Sequence, residues 1–289
     1  MTARDRWLLR MLAEHRVFTT PQITALCFGS QRVTRARLQM LHNHRAVHRA
    51  RPLAEVGSHP HHWTLDTVGA AVLAAEDGLS LAASRWRRDH AHAVLHSASL
   101  AHTVGTNWVF TTLVAHARAH PEAALLSWWS EKRCTAHFGD VVRPDGYAHW
   151  RQNSRQIEFF VEYDTGTEPL PTVAAKTVRY AELADVTGQT IPVLFVVPSA
   201  RREQALRQAL PGTAPPVPVA TTSTDLLTTA GGAAGPCWQS VGRTRARLDL
   251  AGLANTWQLA DPARPLSATA DPDPAPDPTP PAPVQAAAA

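Results

Sequence analysis

Apolar side chains recur at helical spacing from the start of the chain. Trp7, Leu8, Met11 and Leu12 define the inner face of an amphipathic helix over residues 3 to 15. Thr20 before Pro21 reads as a cap followed by a first-turn proline, and Ile23, Leu26 and Cys27 give the next helix its apolar face until Gly29 stops it. Ser30 caps a third helix from 31 to about 42, with Val33, Leu38 and Leu41 facing inward and Arg32, Arg35 and Arg37 facing solvent. Two short extended segments, 46 to 53 and 62 to 65, flank a Gly57-Ser58-His59-Pro60 turn and precede a helix at 67 to 76. Three short helices followed by a β-hairpin predict a winged helix-turn-helix over residues 1–79.

After a helical connection at 80–120, the pattern changes to alternating strands and helices. Strands are expected at 124–129, at 141–150 with an interruption at Pro144, at 157–163 and at 191–197, with helices at 168–186 and 200–210. That alternation predicts an α/β domain with a mixed central sheet over residues 121–258. Trp238 and the Leu248 to Leu253 stretch are expected to close its core. Residues 259–289 hold the repeat DPDPAPDPTPPAP and little that could be buried, so a disordered or extended tail is expected.

Charge sharpens this division. The chain carries a formal charge of +4 overall, yet residues 1 to 51 hold ten arginines against Asp5 and Glu14, a net of +8. An electropositive amino-terminal module implies a polyanionic partner, and the third helix and wing (Arg32, Arg35, Arg37, Arg45, Arg49, Arg51) are where such a fold meets a duplex. Histidines 42, 44, 48, 59, 61 and 62 are read as a solvated wing, because no cysteine completes a finger-like ligand set. Cys27, Cys134 and Cys237 are too few and too scattered for a disulfide framework, and buried thiols are expected. No segment has the roughly 18 apolar residues of a membrane span, and Arg4, Asp5, Arg6 and Arg10 break any leader-like run, so a cytoplasmic protein is expected.

The candidate chemistry lies in the second domain. Period-two alternation along 157–164 puts Phe160, Glu162 and Asp164 on one face, so two carboxylates project from the end of a mostly apolar strand. Like charges so placed are costly unless a cation joins them. Asp145, after Pro144 on the preceding strand, is the natural third carboxylate, and three hard oxygens suit Mg²⁺ or Mn²⁺ activating water against a phosphodiester. Of 28 basic residues only Lys132 and Lys176 are lysine, and Lys176 shares a helix face with Tyr180, where a compact ammonium could serve that site. Glu131, at the end of the first strand, is a further acidic candidate. The competing expectation is that these acids pair with neighbouring cations, leaving a catalytically silent platform and no cofactor.

Arg143-Pro144-Asp145-Gly146, then the run from Phe160 through Glu162, Asp164 and Gly166 to Glu168, then Lys176 and Arg179-Tyr180-Ala181, together resemble the replication-relaxation family of actinobacterial plasmids. The likeness covers roughly residues 5 to 255 in element order. It implies a winged helix joined to a PD-(D/E)XK nuclease-like domain acting on plasmid DNA, alongside replication or mobilisation proteins. Carried over by residue, it makes Asp145 and Glu162 metal carboxylates, with Asp164 a further ligand or the occupant of the usual lysine position. The third strand reads Glu-Tyr-Asp where the general motif has Glu-x-Lys, so Lys176 would supply the amine from the helix.

Overall fold

A computed structural model describes residues 1–52, 59–210, 215–243, 245–263, 265–268 and 273–282. The chain forms two compact units, one of residues 1–111 with 276–289, the other of residues 112–275.

The first unit begins with α1 (Ala3–His15), β1 (Phe18–Thr19), α2 (Thr20–Cys27) and α3 (Gln31–Asn43), followed by β2 (Val47–Ala50), β3 (His62–Leu65) and α4 (Thr67–Glu76). Caps fix the helix starts. Thr2 and Asp5 form a reciprocal capping box on α1, Thr19 and Gln22 form one on α2, and Ser30 accepts from the Val33 amide at the start of α3. The α2 cap is therefore Thr19, one residue before the expected Thr20. The strands make an antiparallel sheet in the order β1-β3-β2, with Phe18 opposite Trp63 and Arg49 opposite Trp63 on its other side. Gly69 lets α4 lie directly on the chain entering β2, since a Cβ there would stand 2.2 Å from the Ala46 carbonyl oxygen. Val33 departs from expectation: it is 54% exposed, and Thr34, Leu38 and Leu41 form the buried face of α3 instead. A four-residue step from 34 to 38 continues the helical stripe, whereas Val33 lies one residue off it. Half of the expected wing turn, Gly57-Ser58, lies outside the described residues.

Helices α5 (Arg88–Ala93) and α6 (Leu100–Ala119) follow; Val94 and Leu95 between them pack with Val17, Leu100 and Val104. Asn107 on α6 donates to the carbonyls of His15 at 3.0 Å and Val17 at 2.8 Å. Part of the proline-rich tail, expected to be disordered, is placed here: the Trp7 indole donates to the Asp277 carbonyl at 2.7 Å and Arg4 to the Pro281 carbonyl at 2.8 Å.

The second unit is built on a seven-stranded mixed sheet in the order β10-β9-β8-β7-β6-β5-β4. Its strands are β4 (Ala123–Ser130), β5 (Gly146–Gln152), β6 (Arg155–Tyr163), β7 (Val193–Val197), β8 (Val219–Ser223), β9 (Trp238–Ser240) and β10 (Arg247–Leu248); the β6-β7 and β7-β8 pairings are parallel and the rest antiparallel. Helices α7 (Glu131–Phe138), α8 (Leu170–Thr187), α9 (Ala200–Ala209), α10 (Thr224–Thr229) and α11 (Leu250–Thr256) complete the unit. The expected strand at 141–150 starts only at Gly146, because the Val141 and Val142 amides turn back onto the Phe138 carbonyl at the end of α7. Strands β8 to β10 extend the sheet where only core closure was expected. Leu266 is buried against this core and its amide donates to Glu158 at 2.7 Å, so the tail's first stretch is also packed. Cys27, Cys134 and Cys237 are all buried, and none is in a disulfide. Among the described residues no helix is long and apolar enough to cross a membrane.

Candidate functional site

Two regions gather the residues singled out from the sequence. The first is a cleft of about 650 Å³ in the amino-terminal unit, between α3 and the β2–β3 hairpin. Gln31, Arg35 and Gln39 line it from α3 at four-residue steps, so one helix face supplies all three. Arg49, Arg51, His59, His61 and Trp63 line the opposite side, with Thr20 and Pro21 of α2 closing one end. The polar groups are positioned: Arg49 Nη1 donates to Gln39 Oε1 at 2.7 Å, Arg35 Nη2 donates to Gln31 Oε1 at 2.8 Å, and the Trp63 indole donates to Thr20 Oγ1 at 2.9 Å. Burial pushes the His61 pKa down, and the nearby Arg51, Arg49 and Arg35 push it further, so the electropositive character of the cleft comes from its arginines.

Of the six arginines expected at this surface, Arg35, Arg49 and Arg51 line the cleft. Arg32 is exposed on α3 outside it, and Arg45 sits in the turn between α3 and β2 with φ of 53°. Arg37 is turned away. Its guanidinium pairs with the buried Asp5 carboxylate, Nε donating to Oδ1 at 2.7 Å and Nη2 to Oδ2, which locks α3 to the start of α1. Burial alone would raise the Asp5 pKa, but the Arg37 hydrogen bonds and the Thr2 cap outweigh it and hold the carboxyl below its ordinary value. The pair is therefore structural. Asp5→Asn is expected to destabilise the first unit by about 2 kcal/mol near neutral pH, less than for a fully buried pair because Arg37 can turn to water. Since the folded pKa is depressed, that contribution is present above the usual carboxylate range and fades as pH falls through it, so urea midpoints of variant and wild type should converge in acid. Gln31, Gln39 and the hairpin histidines were not singled out as cleft residues, although the 31-35-39 spacing carried the signal.

The second region is at the end of β6. The β5–β6 register places Tyr147 opposite Phe160, and two residues further along that face stand Asp145 and Glu162. Asp145 Oδ2 accepts the Tyr163 amide at 2.7 Å. Glu162, 2% exposed, accepts from Lys176 Nζ at 2.7 Å on one oxygen and from the Tyr180 hydroxyl on the other, both arriving from α8. Tyr180 is buried with its ring tilted against Phe160, centroids 5.2 Å apart, which helps to fix its hydroxyl. Burial pushes the Glu162 pKa up to about 7, the Asp145 carboxylate adds to the rise, and Lys176 and Tyr180 oppose it. Burial works to lower the Lys176 pKa, but Glu162 and Asp145 more than offset it, so the ammonium stays charged.

Of the residues singled out from the sequence, Glu162, Lys176 and Tyr180 are joined by hydrogen bonds, and the β5–β6 register carries Asp145 opposite Glu162. Asp164 is not among them. Arg202 of α9 takes its Oδ2, the Gly166 amide donates to its Oδ1 at 2.7 Å, and Asp145, Glu162 and Asp164 do not bring three ligand atoms within 4.8 Å of one another. The Asp164 carboxylate, expected beside Glu162 from period-two spacing, is instead paired with a guanidinium from α9. Glu131 is exposed at the first turn of α7.

A family model described as replication-relaxation matches residues 9–196, more than half of the chain. The chain belongs to the replication-relaxation family. Neither the curated proteins nor the solved structures contain a match.

Proposed function

We propose that this is a DNA-binding protein of plasmid replication and relaxation that engages duplex DNA through the α3–hairpin cleft. The observation that carries the reading is the convergence of Arg35, Arg49 and Arg51 with Gln31 and Gln39 on one open cleft. Arginine forks suit phosphates and guanine edges, and glutamine suits adenine, so the lining pairs backbone grip with base-reading groups. The helix and strand order of the first unit supports a winged helix-turn-helix, with α3 as the recognition helix and the paired strands β2 and β3 as the wing. Fluorescence anisotropy with a labelled duplex tests it: binding should weaken sharply when Arg35, Arg49 and Arg51 are replaced by alanine.

The mixed sheet with α8 and α9 supports a PD-(D/E)XK-like second domain. Asp145, Glu162 and Lys176 together favour a second reading, in which that domain nicks DNA with Mg²⁺ or Mn²⁺. Against it, both Glu162 oxygens are already engaged, the residue is nearly inaccessible, and Asp164 is held elsewhere. The non-catalytic reading is therefore preferred, with the cluster acting as an internal brace between β6 and α8. Supercoiled plasmid incubated with the protein and either metal should stay supercoiled; conversion to open circle that is lost in Glu162→Ala establishes the nickase instead.

A further inference from the structure

The hairpin of the first unit brings together three groups that the sequence separates. His48 stands on β2 opposite Thr64, and Asp66 lies two residues beyond Thr64, so His48 and Asp66 are diagonal neighbours on one face of the sheet. Helix α5 lays His92 over them. The His48 and His92 rings stack with centroids 4.1 Å apart and planes within 19°, and one ligand atom from each of His48, Asp66 and His92 lies within 4.8 Å of the others. His92 Nε2 is buried with no hydrogen-bond partner and lies 4.0 Å from Asp66 Oδ1. A buried imidazole nitrogen without a partner, beside a carboxylate and a second histidine, is a polar group that a bound metal would satisfy.

We propose that His48, Asp66 and His92 form a binding site for a borderline divalent transition metal, with Zn²⁺ the best-matched ion. Two imidazoles and a carboxylate are a zinc donor set, and a water would complete a tetrahedron. Zinc–ligand bonds of roughly 2.0–2.2 Å place tetrahedral ligands about 3.3 Å apart, so side-chain rotations of under about 2 Å close the site. Asp66 Oδ1, the oxygen 4.0 Å from His92 Nε2, also caps α4 through the Thr67 amide at 2.7 Å, so the carboxylate would share that oxygen or turn as the ion enters. Arg88, whose Nε donates to Oδ1 at 3.1 Å, is half exposed and can swing into water as the ion enters. Bound metal would pin α5 to the strand that carries Arg49, and the inference stands whether or not the cleft binds DNA.

Titration of the tag-free, chelator-treated full chain with Co²⁺, read by its visible ligand-field bands, tests this. One equivalent should give tetrahedral bands that Zn²⁺ abolishes. His48→Gln and His92→Gln should each weaken binding by at least about a hundredfold, while His44→Gln on the α3 turn should not. Circular dichroism in chelator separates loss of ligand from loss of fold. Should either variant unfold, Arg88→Met decides: removing a cation that competes for Asp66 should tighten Co²⁺ binding by about tenfold. The proposal is overturned if no stoichiometric tetrahedral species forms, if it survives loss of both histidines, or if Arg88→Met leaves affinity unchanged.

Discussion

Replacing Lys176 with methionine should destabilise the second unit by about 3 kcal/mol at pH 8.5 and by far less at pH 5. The cost comes from what is left behind. Glu162 is 2% exposed, and without the ammonium at 2.7 Å its carboxylate loses a cation that opposes burial and the Asp145 charge. The figure is the low end for a broken buried pair, since the Lys176 side chain is one-third exposed and water can follow it. The sign of the pH effect follows from linkage. With its folded pKa raised from 4.5 to about 7, Glu162 binds more protons in the native chain than in the unfolded one, so stability falls as pH rises through that interval. In the variant the folded pKa is higher still, and the loss continues to grow above neutrality. At pH 5 a protonated Glu162 needs only neutral partners, and the Tyr180 hydroxyl remains. Adding Glu162→Gln to the methionine variant should restore most of the loss at pH 8.5. Urea midpoints of the 155–187 segment, read by hydrogen exchange, check all three statements; a pH-independent loss would mean that Lys176 acts by packing alone.

The second large effect is on DNA. Arg35, Arg49 and Arg51 each offer a charge-assisted contact worth about 1.5 kcal/mol, roughly tenfold in affinity, so the triple alanine variant should bind duplex at least a hundredfold more weakly. Arg87→Ala is the matched control. Like each single cleft variant it removes one positive charge from the same unit, but Arg87 lies outside the cleft and pairs with Asp89 at 2.7 Å, so its loss should leave affinity nearly unchanged. Asp5 supports this choice of residues. Because it already holds Arg37, an arginine on the supposed reading helix is structural, and an Arg37→Ala variant that bound DNA poorly would report on folding.

Helices α1 to α3 were readable because each carries two agreeing signals, a 3.6-residue apolar stripe and a capping residue. Where only one signal existed the reading slipped: Val33 is apolar, but Thr34 occupies the stripe and is the residue buried. In the second unit the long strands could be read, but β9 and β10 span three and two residues, too short for any period, and buried β8 reads Val-Ala-Thr-Thr-Ser, polar at three of five positions. The Asp145–Glu162–Lys176–Tyr180 cluster was legible since strand alternation and an i, i+4 helix pair each fix a face locally. The pairing of Asp164 was not legible because its partner Arg202 arrives from 38 residues away, on a helix whose docking no local rule specifies. The same holds for His48, Asp66 and His92, which meet only through a strand register and the packing of α5.

The account rests above all on the cleft, and the salt dependence of duplex binding tests it most directly. Plotting the logarithm of the association constant against that of salt concentration should give a steep negative slope for the wild type. Removing Arg35 and Arg49 together should flatten it by about 1.8, near 0.9 for each lost phosphate contact. A double variant with the wild-type affinity and slope would place the DNA elsewhere, or nowhere, on this protein.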